Sequence, residues 1–264
     1  MHHTEKLIPT QTNQSSDKLL SLIEILSQQP EPLRLQDISR LSGLNASTAL
    51  RFISALARRG YIAQDIDTGR YYLTFKLCGI AQSISQSLSV RVIALPFLRR
   101  VAQAFNESCN LAVESNMSVL YVEVVNSPAR TLLSTQRIGT AAPMHCTGVG
   151  KLLLSQYDAQ ELTPLITARP LEKFTEHTIT CPGLLARELE GIRAAGYAYD
   201  NQECESGARC VAAPVRDFSG KIVAGISVSG PAVRMSDEHI AQHLPHLLET
   251  ARQVSQQLGY EEKM

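Results

Sequence analysis

The chain has 264 residues, 44% of them hydrophobic, and its 25 Lys plus Arg are matched by 25 Asp plus Glu. That length exceeds one average domain and allows two, each able to bury a core. The neutral balance gives no global pull toward nucleic acid or membrane, so a DNA-binding role has to rest on a local motif. No apolar run approaches the roughly 18 residues of a bilayer span, and the opening MHHTEKLIPTQTNQSS lacks the apolar segment of a secretory signal. The expectation is a soluble, cytoplasmic protein with no membrane partner and a disordered leader over residues 1–16.

From Asp17 the segment DKLLSLIEILSQQ places Leu19, Leu22, Ile23 and Leu26 at helical spacing, and Pro30 and Pro32 end it. LQDISRLSG predicts a second, short helix that Gly43 terminates. NASTALRFISALARRG predicts a third, with Asn45 as N-cap and Gly60 closing it. Two helices joined by a turn of this length form a helix-turn-helix. YIAQDIDTGRYYLT then alternates about an Asp-Thr-Gly turn, the pattern of a hairpin, or wing.

On the third helix Ala49, Phe52, Ile53 and Leu56 recur at i, i+3, i+4 and i+7 and face a core. Ser47, Leu50, Arg51 and Ser54 form another face, with Thr48 at its edge. Short polar side chains and an Arg near the N-terminal end suit the major groove. Arg58, Arg59 and Arg70 are placed to add phosphate contacts. A plain three-helix packing module is the alternative; helix, helix-turn-helix and wing in succession favour double-stranded DNA as partner. Residues 1–76 hold nine Lys/Arg against seven Asp/Glu, so non-specific affinity should be modest and salt-dependent.

Residues 75–107 are apolar-periodic, with a break expected near Ser89 and a kink at Pro96. They read as a linker helix over 76–90 followed by the first helix of a second domain, 91–260, after a DNA-binding domain over 17–75. Residues 109–126 read as two strands around Asn116-Met117-Ser118, and RTLLSTQRIG as a third strand. Helices are expected at about 148–157 and 182–195, a hairpin turning at Ser219-Gly220, and a last helix from Ser236 to about Leu258. Hairpin-joined strands with helices at the ends predict an antiparallel α+β domain.

The stretch HCTGVGKLLL, 145–154, needs separate treatment. A phosphate loop requires Gly and Ser/Thr where His145 and Leu152 stand. Neighbouring side chains of an extended segment point to opposite faces, which argues against a His145–Cys146 catalytic dyad. The six cysteines, at 78, 109, 146, 181, 204 and 210, include no CxxC pair. They read as free, mostly buried thiols, and His145, Cys146, Cys204 and Cys210 lack compact zinc spacing. No cofactor or metal is expected. The remaining reading is a helix N-terminus at Thr147-Gly148-Val149-Gly150, whose unpaired amides accept an anion.

GLNASTALRFISALARRGYI, PMHCTGVGKLLL and ECESGARCVAAPVRDFSGKIVAGISVSGP together resemble the IclR family of bacterial transcriptional regulators, over about Asp17 to Tyr260. The resemblance implies a winged helix-turn-helix domain, a linker helix, and a GAF-like effector domain, in dimers or tetramers on palindromic operators. It also implies an effector pocket made by Gly148, Val149, Asp200, Cys210, Ser227 and Ser229. Ser227 and Ser229 lie two apart on one strand, so their hydroxyls share a face; the pattern alone leaves that face open as pocket or wet surface. Where relatives with small keto-acid effectors carry bulky apolar residues, this chain has Thr131, Ser134, Ala142 and Ala208. A wider or more polar pocket is therefore expected, favouring a longer, hydroxylated or ring-bearing acid over a two- or three-carbon one.

The function that follows is a DNA-binding regulator, expected to repress a catabolic operon and to respond to a small hydroxy-, keto- or aromatic carboxylic acid. No catalytic residue is expected. The rival reading is a Cys-dependent hydrolase or transferase carrying a helix-turn-helix domain.

Overall fold

A computed structural model of the chain describes residues 14–80, 89–127, 136–167 and 170–262. The chain divides into two compact units, 1–87 and 88–264.

In the first unit, α1 (Gln14–Ser27), α2 (Leu35–Ser42) and α3 (Ala46–Arg58) precede a hairpin of β1 (Ile62–Gln64) and β2 (Tyr71–Leu73). Helix α1 thus begins at Gln14, inside the stretch read as a leader. Its apolar face, Leu22 and Leu26, packs with Ile38, Phe52, Ile53, Leu56 and Ile62 in one core. Gly43 ends α2 at φ +65°, a conformation that favours glycine because it lacks a Cβ. The β1–β2 register pairs Ile62 with Leu73 and Gln64 with Tyr71. Residues 76–80 are helical; most of the expected linker helix lies outside the described residues.

The second unit is a six-stranded antiparallel sheet with helices on both faces. Helix α4 (Val90–Phe105) leads into β3 (Ser108–Ser115) and β4 (Ser118–Val125), and the two-residue β5 (Ala141–Ala142) follows. Then come α5 (Gly148–Leu154), α6 (Ala159–Thr167), α7 (Pro182–Ala195), β6 (Ala198–Asn201), β7 (Ala208–Arg216), β8 (Ile222–Pro231) and α8 (Asp237–Gln257). The sheet order is β5-β4-β3-β8-β7-β6. Strand alternation sorts the residues between two cores. Cys109, Leu111, Val211, Ala213, Ile226 and Val228 pack with α4 and α8, whereas Ala112, Tyr121, Ala198 and Ala212 pack with α5 to α7.

Ser89 caps α4, which continues through Pro96 to Phe105. Residues 128–135, most of the expected third strand, lie outside the described residues. Gly139 takes φ +86° in the turn before β5. Helix α5 is shorter than the sequence reading, ending at Leu154. Helix α6 was not anticipated, because Pro164 inside it reads as a breaker. Its signal was present in Asp158-Ala-Gln-Glu161, a capping box: Asp158 Oδ1 accepts from the amides of Gln160 and Glu161, and Glu161 Oε2 from that of Asp158.

Glycine is required where α5 meets its surroundings. A Cβ on Gly150 would stand 2.3 Å from the Met144 carbonyl oxygen, and one on Gly225 of β8 would stand 2.7 Å from Val149 Cγ1. Gly191, within α7, has open space around it. Gly150→Ala is therefore expected to destabilise the second unit by about 3 kcal/mol through forced backbone displacement. Gly191→Ala is expected to stabilise it by roughly 0.5–1 kcal/mol through lower unfolded-chain entropy. Urea unfolding of the two variants against the parent chain measures both.

Candidate functional site

Helix α3 is held at its start by Asn45, whose Oδ1 accepts from the Thr48 amide at 2.8 Å and from the Ser47 hydroxyl at 2.8 Å. Ala49, Phe52, Ile53 and Leu56 are buried, so the opposite face is free to meet a partner. Ser47, Leu50, Arg51 and Ser54 are exposed on it, with Thr48 half-buried at the edge. Leu50, 42% exposed, is an apolar side chain among polar ones. Arg51 lies 5.2 Å from the centroid of the Phe52 ring, which steadies the guanidinium without occupying its donors.

Arg70 is arranged differently. Its Nη1 donates to the Pro32 carbonyl at 3.1 Å, so part of the guanidinium fastens the wing to the α1–α2 loop. The wing tip carries Asp65, Ile66 and Asp67. Asp65 accepts from the amide and hydroxyl of Thr68, which hold its carboxyl below the usual range. Ile66 is 99% exposed. Two carboxylates repel phosphate, so this tip is no phosphate clamp. Lys76, which sequence reading passed over, donates to the Arg59 carbonyl beyond the end of α3 and lies 4.7 Å from the Tyr61 ring centroid.

In the second unit, strand register assembles the residues that the sequence scatters. Ser108 pairs with Ser229, Ser229 with Cys210, and Cys210 with Asp200. This makes one row across β3, β8, β7 and β6. In the next row Asn110 pairs with Ser227 and Ser227 with Ala212. The face in question is the one covered by α5, and Ser227 and Ser229 are buried at 1% and 5% exposure. It is therefore not a wet strand surface.

Gly148 and Val149 begin α5 against this row, and a Cβ on Gly148 would come within 3.1 Å of Ala212 Cβ and 3.5 Å of Cys210 Sγ. Thr147 is the N-cap: its hydroxyl donates to the Pro143 carbonyl and accepts from the Gly150 amide. The amides of Gly148 and Val149, first in the helix, have no carbonyl a turn earlier to bond. Both residues line a cavity of about 280 Å³, together with Tyr121, Gln136, Thr140, Asp200, Cys204, Cys210, Ser227 and Ser229. Ala142 and Ala208 line it too; Thr131 and Ser134 fall outside the described residues. The volume sits at the small end of ligand sites, so the wider pocket expected from the small side chains is not what the described residues form.

His145 and Cys146 part company as alternation requires. His145 Nε2 meets the Glu172 carbonyl at 2.9 Å, on the side of a separate apolar groove formed with Met117, Leu171 and Phe174. The Cys146 thiol turns to Cys204, and that hydrogen bond, with burial, raises it well above the ordinary thiol range. His145 and Cys146 thus form no nucleophile–base pair, while the same hydrogen bond holds the Cys204 thiol below the usual range. Among the described residues, no group of three or more His, Cys, Asp or Glu is placed to hold a metal ion.

The cavity's charge is one-sided. Asp200 Oδ1 accepts from the amides of Glu203 (2.8 Å) and Cys204 (3.3 Å), yet burial dominates and pushes its carboxyl up to about 6. Burial likewise pushes Cys210 up to about 12. Arg209 borders the cavity, but its guanidinium lies on the other face of the sheet, bonded to the Met235 carbonyl and the Asp237 carboxylate.

A helix-turn-helix unit with an exposed polar helix face, in one chain with an α+β unit that encloses a polar cavity, defines a transcriptional regulator with a separate effector domain. Comparison with known proteins specifies the class. Residues 82–256 match the model of the bacterial transcriptional regulator IclR C-terminal domain, and residues 15–65 that of the IclR helix-turn-helix domain. The chain is 30% identical to the HTH-type transcriptional regulator KdgR of Escherichia coli, over 92% of each protein. It is 32% identical to the HTH-type transcriptional regulator BhcR of Paracoccus denitrificans, over 90% of this chain and 85% of that one. The crystal structure of the Agobacterium tumefaciens repressor BlcR matches with a TM-score of 0.73 at 26% identity, over 95% of this chain and 99% of that one. The chain belongs to the IclR family: it is a DNA-binding transcriptional regulator and not an enzyme. Among the described residues no helix is long and apolar enough to cross a membrane.

Asp200 gives the second unit a pH-dependent stability of defined sign. Its native carboxyl, near 6, lies above its ordinary value of 3.8, so between those limits the native state binds more protons than the unfolded chain. Stability is fully present below the lower value and is lost as pH rises through the upper one, by about 3 kcal/mol. Asp200→Asn, which keeps an acceptor for the two amides, should be insensitive to this change. Urea unfolding of both proteins at about pH 4 and about pH 7 should show the wild type losing about 2 kcal/mol relative to the variant, since part of the effect is already gone at pH 4.

Proposed function

We propose that the protein is a cytoplasmic repressor of a catabolic operon, whose grip on its operator is modulated by a small carboxylic acid bound in the cavity under α5. The single observation that carries the reading is the row Ser229–Cys210–Asp200, set by strand register against the N-terminal amides of Gly148 and Val149. In this reading the amides and the hydroxyls of Ser227 and Ser229 receive the ligand carboxylate. Asp200 meets a hydroxyl or other donor at the ligand's far end, or meets an acceptor while protonated, since two bare carboxylates would repel. The compact volume, about 280 Å³, favours a short hydroxy or keto acid over a long or multi-ring one. Relatives named as repressors support the direction of control: AllR of Klebsiella pneumoniae, and the acetate operon repressor of Salmonella typhimurium.

On the DNA side, Ser47, Thr48, Leu50 and Arg51 form the proposed reading surface, with Arg70 positioning the wing. A palindromic operator calls for a dimer or tetramer, and exposed apolar side chains such as Val92 on α4 are consistent with one. Light scattering reports the oligomeric state.

Two measurements test the reading. Arg51→Ala should remove a base or phosphate contact worth roughly 1–3 kcal/mol per half-site, twice over in a symmetric dimer. A mobility-shift titration should then lose specific binding while circular dichroism stays unchanged; equal affinity would place recognition elsewhere. Separately, a thermal-shift screen of hydroxy, keto and aromatic acids selects a ligand, and calorimetry compares wild type with Ser229→Ala. Loss of one charge-assisted hydrogen bond should weaken binding about 10- to 100-fold. The methyl ester of the same acid should bind poorly to both proteins; equal affinity for acid and ester would refute the carboxylate site.

A further inference from the structure

Lys151 lies in the segment that resembles a phosphate loop, yet it faces no open site. It is fully buried, and its Nζ meets Glu203 Oε1 at 2.5 Å and Glu188 Oε1 at 3.1 Å. Glu188, on α7, is partly exposed, whereas Glu203 is 5% exposed and its Oε2 has no hydrogen-bond partner. Desolvating a lysine and a carboxylate is costly, and apolar side chains of similar size often serve stability as well or better. The placement of the pair therefore calls for another role.

Its connections supply one. Glu203 sits in the loop after β6, which carries Cys204 to the cavity beside Asp200 near the end of that strand. Its amide donates to Asp200 Oδ1, and its carbonyl accepts from the Thr178 hydroxyl at 2.6 Å. The Thr175 hydroxyl donates to the Gln202 carbonyl at 2.7 Å. Gln202 holds a left-handed φ of +62° in the same turn. Lys151 lies on α5, which supplies the amides of Gly148 and Val149. The ion pair is thus the charged tie between the two backbone segments that meet at the cavity.

The pair also shapes the field at Asp200. The titratable groups facing that carboxyl are Lys151 on α5, Cys146 just before it, Glu203 and Cys204 on the loop, Cys210 on β7 and Tyr121 on β4. Lys151 is the one cation in this set, and Glu203 is the closest carboxylate in sequence.

We propose that Lys151 and Glu203 are positioning residues of the cavity: their buried ion pair fixes the 200–204 segment, the end of β6 and the loop after it, against α5 and sets the charge that a ligand meets at Asp200. The two members act on Asp200 in opposite directions, the ammonium favouring its ionised form and the carboxylate its protonated form. For ligand recognition the proposal rests on the effector reading given above; for the tie itself it does not.

The test titrates Asp200 directly, without ligand, by the ¹³Cγ resonance of aspartate-labelled full-length protein, with Asp200→Asn to assign the signal. The wild-type midpoint is expected near 6. Lys151→Met should move it up by about one pH unit or more, and Glu203→Gln should move it down by a similar amount. The double variant, which buries no unpaired charge, should lie between the two and carries the comparison where a single variant does not fold. Glu188→Gln, which leaves the pair intact, should change little. Midpoints that stay together, or that move the same way in both single variants, overturn the proposal. Calorimetry with pyruvate across the same pH range forms the second arm. Its affinity should fall as pH rises, with a midpoint that follows each variant's Asp200. Opposite midpoint shifts without any pyruvate affinity would uphold the tie and count against a keto-acid effector; pyruvate affinity with a pH dependence indifferent to the variants would do the reverse.

Discussion

The second unit is organised by how closely α5 approaches the sheet. Gly148 rests on Ala212 and Cys210, Val149 fills the space that Gly225 leaves on β8, and Gly150 passes the Met144 carbonyl. With no Cβ at these places, the first turn of a seven-residue helix comes down onto the serine-bearing face of β8. A helix set further out would leave Ser227 and Ser229 facing water. Set this close, it turns two ordinary strand serines into the floor of a cavity and brings backbone amides opposite them.

Burial on both sides of that contact changes the meaning of charge there. Asp200 keeps two amide hydrogen bonds, yet it ionises with difficulty because little solvent reaches it. The guanidinium of Arg209, which borders the cavity, is engaged on the opposite face, where alternation along β7 sends it. Among the described residues that line it, the cavity therefore offers an anion dipoles and hydroxyls rather than a free counter-charge. Such a site discriminates by shape and hydrogen-bond pattern, and the protonation of one carboxyl has a large say in what it accepts.

The first unit uses charge sparingly as well. The exposed face of α3, its proposed reading face, offers Arg51 among small polar groups and one exposed leucine, the wing ends in two aspartates, and Arg70 holds the wing in place. In the proposed reading, such a surface would draw affinity from fit in the groove more than from counterion release, and each correctly placed side chain would count for more. In the proposed dimer, pairing two such units on a palindrome would compensate for the modest strength of one.

Much of this was legible in the sequence. Period 3.6 with a clean Asn N-cap located α3 and separated its buried from its exposed face; alternation located β3, β4, β7 and β8; and Pro182 with Gly196 bounded α7. These are local signals, generated by residues within one or two turns of each other. The tertiary structure decided the rest. Whether Ser227 and Ser229 face water or a cavity depends on α5, some seventy-five residues earlier in the chain. That Asp200, Cys210 and Ser229 stand in one row depends on register across three strands. Arg70 looks like a free cation until Pro32 is seen beside it, and Lys151 reads as a failed phosphate-loop lysine until Glu203 and Glu188 close around it. The sequence by itself determined most of the helix and strand segments, α6 excepted, and which face of each is apolar, because those follow from neighbours along the chain. Only the fold decided which polar groups are taken out of water and what they meet there, because desolvation and partner charge are properties of residues brought together from distant segments.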